Sequence, residues 1–159
     1  VRWPAWAVPA VDRPWAYDPG GVVPAFEALV AVTDETSAVR AYHQLLGALA
    51  HNHSGSPYPA IVPGVRGLAA SVPQMRGWSL ATALDVLTDS WLFTIDDTAC
   101  RTADGQVHDL TEVQGLVSSI APLVRQIAER RESPELGRAL ELLRVIDDSA
   151  RLRSTLRRP

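Results

Sequence analysis

The sequence predicts an all-α fold. Three observations carry that expectation. Apolar residues recur three and four positions apart through most of the chain. No stretch alternates convincingly with period two. Clusters of Pro, Gly, Asn, Asp and Ser cut the periodic stretches into helix-sized pieces. About six helices joined by short links are expected, and such helices pack as antiparallel hairpins. Three hairpins can stack into a short right-handed α-α superhelix, as helical repeats do. A compact helical bundle is the alternative.

Residues 1–23 read as an extended arm, because Trp3, Trp6 and Trp15 alternate with Pro4, Pro9, Pro14 and Pro19. Three indoles are too much apolar surface to leave in water, so the arm packs over the body or docks on a partner. The body is expected over residues 24–156 as a single domain. Its first helix spans Pro24 to Val32, with Phe26, Leu29, Val30 and Ala31 as the apolar set. Thr33 to Ser37 is a turn and cap signal. The second helix runs from Ser37 to Ala50 on a stripe of Val39, Tyr42, Leu46 and Leu49. His51 to Pro57 breaks the pattern.

A third helix is expected from Tyr58-Pro59 to Val72, kinked or broken at Pro63. The fourth covers Trp78 to Phe93, with Leu80, Leu84, Leu87 and Trp91 in one stripe and Asp85 and Asp89 elsewhere on the wheel. Residues 94–108 lack periodicity and read as a long loop, a feature that is often functional. Asp109-Leu110-Thr111-Glu112 resembles a capping box. It opens a fifth helix that runs to Arg131 with a kink at Pro122. Ser133-Pro134-Glu135 opens the last helix, with Leu136, Leu140, Leu143 and Ile146 inward. Glu135/Arg138, Glu141/Arg144 and Asp148/Arg151 read as its solvated, ion-paired face.

Composition narrows the function. The 159 residues carry 15 basic and 18 acidic side chains, a net charge of −3, and all the basic ones are Arg. The absent Lys reflects either GC-rich coding or selection for bidentate guanidinium contacts. It removes lysine Schiff-base chemistry. A single Cys100 excludes an internal disulfide framework and fits a reducing compartment. No membrane-length apolar run and no signal-peptide pattern are present, so a cytoplasmic protein is expected. The balance disfavours a strongly electrostatic nucleic-acid binder. It nonetheless hides an acidic stretch of −6 over residues 85–112 and a basic tail of +4 after residue 150.

The stretch from Trp15 to Leu92 resembles a group of uncharacterised bacterial proteins with HEAT-like helical repeats, frequent in actinobacteria. The resemblance rests on Trp15-Ala16-Tyr17-Asp18-Pro19-Gly20 leading to Val23-Pro24, on His53-Ser54-Gly55-Ser56-Pro57-Tyr58-Pro59-Ala60, and on a small-residue helix with Pro63 followed by Ala81-Leu84-Val86-Leu87. The group's second motif reads His-Gln-Gly-Thr-x-Tyr-Pro-Ala, from which Ser54 and Ser56 depart. The resemblance implies an α-α superhelix and no particular activity.

The residues that could carry chemistry are few. His51 and His53 could form a metal pair or an acid–base dyad, or could satisfy backbone groups at a helix junction. Asp96, Asp97, Asp104, His108 and Asp109 are oxygen-rich enough for a hard cation, but no EF-hand spacing is present. A solvated loop or a contact surface for a basic partner reads equally from them. Arg151, Arg153, Arg157 and Arg158 suit a helix C-terminus or a phosphate. No phosphate-cradling glycine loop, nucleophile elbow or His-Glu-x-x-His is present. The acidic surroundings of Cys100 would raise its pKa, which makes it a poor nucleophile.

The expected function is therefore protein binding, as a scaffold, accessory or immunity-like domain with no metal and no cofactor. The alternative is a small-metabolite enzyme or ligand-binding protein. Its pocket would place His51 or His53 as base with Asp96 or Asp97 as partner, lined by Trp15, Tyr58, Trp78 and Trp91.

Overall fold

The computed structural model describes residues 18–51, 56–95, 98–101, 107–129 and 134–156. Among these lie seven α-helices and one two-stranded sheet. The Trp-rich part of the expected arm, residues 1–17, lies outside them.

Asp18 opens the described chain with a tight turn, its carboxylate accepting from the Gly20 amide at 2.9 Å. A short 3-10 turn, Pro19–Gly21, feeds α1 (Val22–Val30). The body thus begins before Pro24, and Val22 and Ala25 join Phe26 and Leu29 in the core while Val30 is exposed. Helix α2 (Glu35–Leu49) starts two residues before the expected Ser37. Asp34 is the cap: its carboxylate accepts from the Ser37 amide at 2.8 Å, and Ser37 Oγ accepts from the Asp34 amide at 3.1 Å. The buried face of α2 is Ala38, Ala41, Leu45, Leu46, Ala48 and Leu49. Val39 and Tyr42, expected inside, lie to one side of it, with Val39 53% exposed.

After α2 the chain comes back beside itself, with Ala50 bridging antiparallel to Pro57. The His51 amide donates to Ser56 O, and the Tyr58 amide donates to Leu49 O. Helix α3 (Ile61–Ser71) begins later than expected. Pro63 therefore falls in its first turn, where amides have no intrahelical partner, and α3 runs through it without a break. Gly64 of α3 packs directly on the Leu49 side chain.

Helix α4 (Gly77–Phe93) is buried on almost every side. Beyond the Leu80, Leu84, Leu87 and Trp91 stripe, it buries Ala81, Thr82, Ala83, Val86, Thr88 and Ser90. Its threonines are tolerated there because Thr82 and Thr88 donate to the carbonyls of Trp78 and Leu84, at 2.8 and 2.9 Å.

Two short strands pair within the stretch expected as a structureless loop, which corrects the loop, while the described chain remains mostly helical as predicted. Strands β1 (Ala99–Arg101) and β2 (Val107–Asp109) pair antiparallel, with Cys100 opposite His108. Each strand is three residues long, too short for a period of two to be read. Cys100 packs partly against the core.

Asp109 accepts from the Thr111 amide at 2.8 Å in a tight turn ahead of α5 (Thr111–Ser119), but the N-cap position is Leu110, which has no side-chain cap, so the expected Asp109 cap is not formed. Glu112, expected to reach back in a capping box, instead pairs with Arg66 of α3. Pro122 divides the expected long fifth helix, because it occupies the first turn of a separate α6 (Ala121–Ala128). Helix α7 (Glu135–Leu156) closes the chain. Its inward face is Ala139, Leu142, Val145 and Ile146, whereas Leu140 is 53% exposed.

The long-range contacts define a layer. Ser79 Oγ donates to Val32 O at 3.4 Å, and the Tyr42 hydroxyl donates to Asp89, so α2 and α4 run parallel at a constant offset. Gly77 meets Glu135 and Trp91 meets Ser149, so α4 and α7 also run parallel. Helices α1 and α6 pack against α2 and α7, and α3 packs against α4 and α5.

One polar contact anchors this layer. Gly77 has φ +60°, a conformation that glycine adopts without strain. Its amide donates to Oε1 of Glu135, which is buried against the N-terminus of α4, where the helix dipole favours a negative charge. The expected Glu135/Arg138 surface pair is accordingly absent, and Arg138 pairs with Asp85 of α4 at 3.1 Å. Arg144 does pair with Glu141 at 2.7 Å, as expected, and also with Asp148 at 3.2 Å.

Two stability predictions follow from this packing. Gly64→Ala should destabilise by about 1–3 kcal/mol in urea unfolding, because its methyl would overlap the Leu49 side chain. Gly115→Ala, in the open mid-portion of α5, should stabilise by about 0.5–1 kcal/mol. If both variants moved in the same direction, the packing argument would be wrong. Separately, Glu135→Ala should cost about 1–3 kcal/mol by stranding the Gly77 amide, while Glu135→Gln, which keeps an acceptor oxygen, should cost less. Equal losses in the two Glu135 variants would remove the hydrogen bond from the account.

Candidate functional site

Helix periodicity builds the site. On α2, Glu35, Ala38, Val39, Tyr42 and His43 are spaced three and four apart and share one side of the helix. On α4, Trp78, Ala81, Thr82, Asp85, Thr88, Asp89 and Leu92 repeat the same spacing over four turns. The parallel register of the two helices brings these rows face to face, and Arg138 and Glu141 of α7 complete the rim. The result is an open groove of about 420 Å³. That volume is in the range of pockets that seat small ligands or anchoring side chains.

The groove's polar groups are coupled. The Tyr42 hydroxyl donates a short hydrogen bond to Oδ2 of Asp89. Burial, together with that bond and the nearby Asp89 charge, holds the Tyr42 phenol well above its usual range, so it remains a donor. The His43 ring meets the Tyr42 ring edge-on, with centroids 5.1 Å apart. Burial pushes the Asp85 carboxyl above its usual range despite the neighbouring Arg138 guanidinium, and Asp89 adds in the same direction. The ionised form of Asp85 is thus the one the fold disfavours.

The expected site residues fall in different places. Trp78 lines the groove. Trp91 is wholly buried and donates from Nε1 to Ser149 Oγ at 3.2 Å, so it belongs to the core and not to a ligand pocket. Tyr58 is likewise buried in the core, and burial raises its phenol pKa. His51 is half-buried just after α2 and is not among the residues that line the groove. Trp15, His53, Asp96, Asp97 and Asp104 lie outside the described residues. Burial raises the Cys100 thiol pKa, a different cause from the acidic surroundings expected. Among the described residues, no group of three or more His, Cys, Asp or Glu could hold a metal ion. No described helix is long and apolar enough to cross a membrane.

Sequence reasoning missed Tyr42, His43, Asp85 and Asp89 as a set. The signal was present as a second row on α4, from Trp78 through Asp85 and Asp89 to Leu92. Charged members of that row read as a solvated face until α2 and α7 are placed beside them.

The raised Tyr42 phenol generates a pH prediction. A group whose folded pKa lies above its unfolded value of about 10 stabilises the fold fully below that pH. The contribution is then lost as pH rises through the folded value. Stability should therefore fall on alkaline titration above the ordinary phenol range, and Tyr42→Phe should flatten the fall. At neutral pH the same variant should cost about 1–3 kcal/mol, because the bond it removes ends on a carboxylate. Alkaline unfolding curves that superimpose for the two proteins would overturn the assignment.

Comparison with protein-family models, with curated proteins and with solved structures finds no match to this chain.

Proposed function

We propose that the chain is a protein-interaction domain whose partner-binding face is the groove between α2 and α4, bordered by α7. The observation that carries this reading is the surplus of apolar surface at the groove. Val39 is 53% exposed and Leu92 44% exposed, and Trp78 lines the same groove toward the start of α4. Large apolar side chains grouped on a surface beside polar groups are the usual anatomy of a contact site.

The HEAT-like superhelix belongs to the same proposal. In such stacks, corresponding helices of successive hairpins run parallel and form a continuous binding face. The pairs α1/α2, α3/α4 and α5–α6/α7 supply three hairpins, and the parallel α2, α4 and α7 are what that arrangement requires. A cytoplasmic scaffold, accessory or immunity-like role is consistent with this use of the fold and with the single Cys100. Binding of a small molecule in the same groove is the second reading, favoured by its volume and by Tyr42, His43, Asp85 and Asp89 converging there.

Site-specific photo-crosslinking in the native host tests the first reading. A photoreactive residue at position 39 should yield one dominant protein adduct, and the same residue at exposed position 126 on α6 should not. Absence of a position-39 adduct, with the protein folded and expressed, would remove the groove from the account.

A further inference from the structure

The groove is unevenly charged. Glu35, Asp85, Asp89 and Glu141 line it, against the single cation Arg138. Three of those acids already have partners, since Asp85 meets Arg138, Glu141 meets Arg144 from outside the groove, and Asp89 accepts from the neutral Tyr42 phenol. A negative surplus remains on Glu35 and Asp89: a phenol brings no charge, and each guanidinium balances one carboxylate. The raised Asp85 carboxyl points the same way, because a half-buried anion that the fold disfavours is relieved by a further cation.

The shape narrows the occupant further. From Trp78 to Leu92 the groove follows α4 for four turns, roughly 21 Å at 1.5 Å per residue. A compact amine would occupy only a fraction of that length. It would also leave Val39 and Leu92 in water. The negative sign opposes phosphate backbones and anionic membrane surfaces.

We infer that the occupant is an amphipathic segment of a partner protein, with an Arg or Lys side chain set among the groove's carboxylates and apolar side chains laid on Val39 and Leu92. This rests on the protein-interaction reading above. The incoming cation meets Asp89 on the side of the carboxylate that Tyr42 leaves available. The buried apolar anchors supply affinity, and the charges supply partner choice and encounter rate.

The test uses three fluorescently labelled probes in anisotropy titrations against the full chain. They are a helix-forming Leu/Arg peptide of about 15 residues, its Leu/Glu counterpart, and N-acetyl-arginine amide. The Leu/Arg peptide should bind at least about tenfold tighter than either other probe, and its affinity should fall as salt is raised. Glu35→Gln with Asp89→Asn should weaken it about tenfold, and Val39→Ser with Leu92→Ser by a similar factor. Asn at position 89 keeps an acceptor for Tyr42, and circular dichroism with thermal melting checks that each variant is folded.

Equal binding of the two peptides, no binding of either, or indifference to the carboxylate variants overturns the basic-segment proposal. N-acetyl-arginine amide matching the Leu/Arg peptide overturns it in favour of a small-cation site. The two failures are separable. Loss of the position-39 adduct sinks the interaction reading itself, whereas a retained adduct with charge-indifferent peptides sinks only the identity of the partner segment.

Discussion

Burial of α4 is the constraint on which the rest of the molecule depends. Each large apolar side chain moved out of water contributes about 1.5–3 kcal/mol, and α4 brings Leu80, Leu84, Val86, Leu87 and Trp91 to the centre. The exposed ion pairs around it, such as Arg144 with Glu141, contribute at most about 1 kcal/mol each. Burial therefore decides where the helices go, and the pairs only decorate the outcome. Alanines and back-bonded threonines let neighbouring helices approach α4 closely. At its two ends, Glu135 receives the Gly77 amide and Ser149 receives the Trp91 indole, which sets α7 parallel to it.

The groove follows from that placement. Asp85 and Asp89 sit on a helix that is otherwise almost wholly enclosed. Full closure of α2 and α7 over them would strand two carboxylates in low dielectric, at a cost of several kcal/mol per ion. An open seam, with Tyr42 supplying one proton and Arg138 one charge, leaves both carboxylates partly solvated. The same opening exposes Val39 and Leu92. A polar requirement on α4 and an apolar face on the surface are thus two results of a single geometry.

Much of the fold is legible in the chain. The stripe from Leu110 to Ile127 is buried as its spacing implies, and the Asp34 cap marks a helix start by local chemistry that needs no tertiary information, whereas Pro122 reads as a kink and in fact opens a separate helix. Where burial departs from the spacing, a neighbouring helix is responsible. Val39 and Leu140 look like core residues from spacing alone, yet the partner helices cover the alanine-bearing faces beside them. Small residues let helices come close, and a scale of hydrophobicity ranks Ala38, Ala41 and Ala139 below the larger residues that the fold leaves outside. Glu135 reads as a solvated acid because nothing local indicates that Gly77, 58 residues away in sequence, will present a bare amide to it.

Local chemistry in the sequence determines the helical class, most helix starts and the interior identity of Leu84, Leu87 and Trp91, since these depend on spacing, capping and proline geometry within a few residues. The functional surface depends on something else. Tyr42 and Asp89 are 47 positions apart, and Asp85 and Arg138 are 53 apart. Their meeting is set by how three helices pack in parallel, and helix packing is a property of surfaces that exist only after the chain has folded.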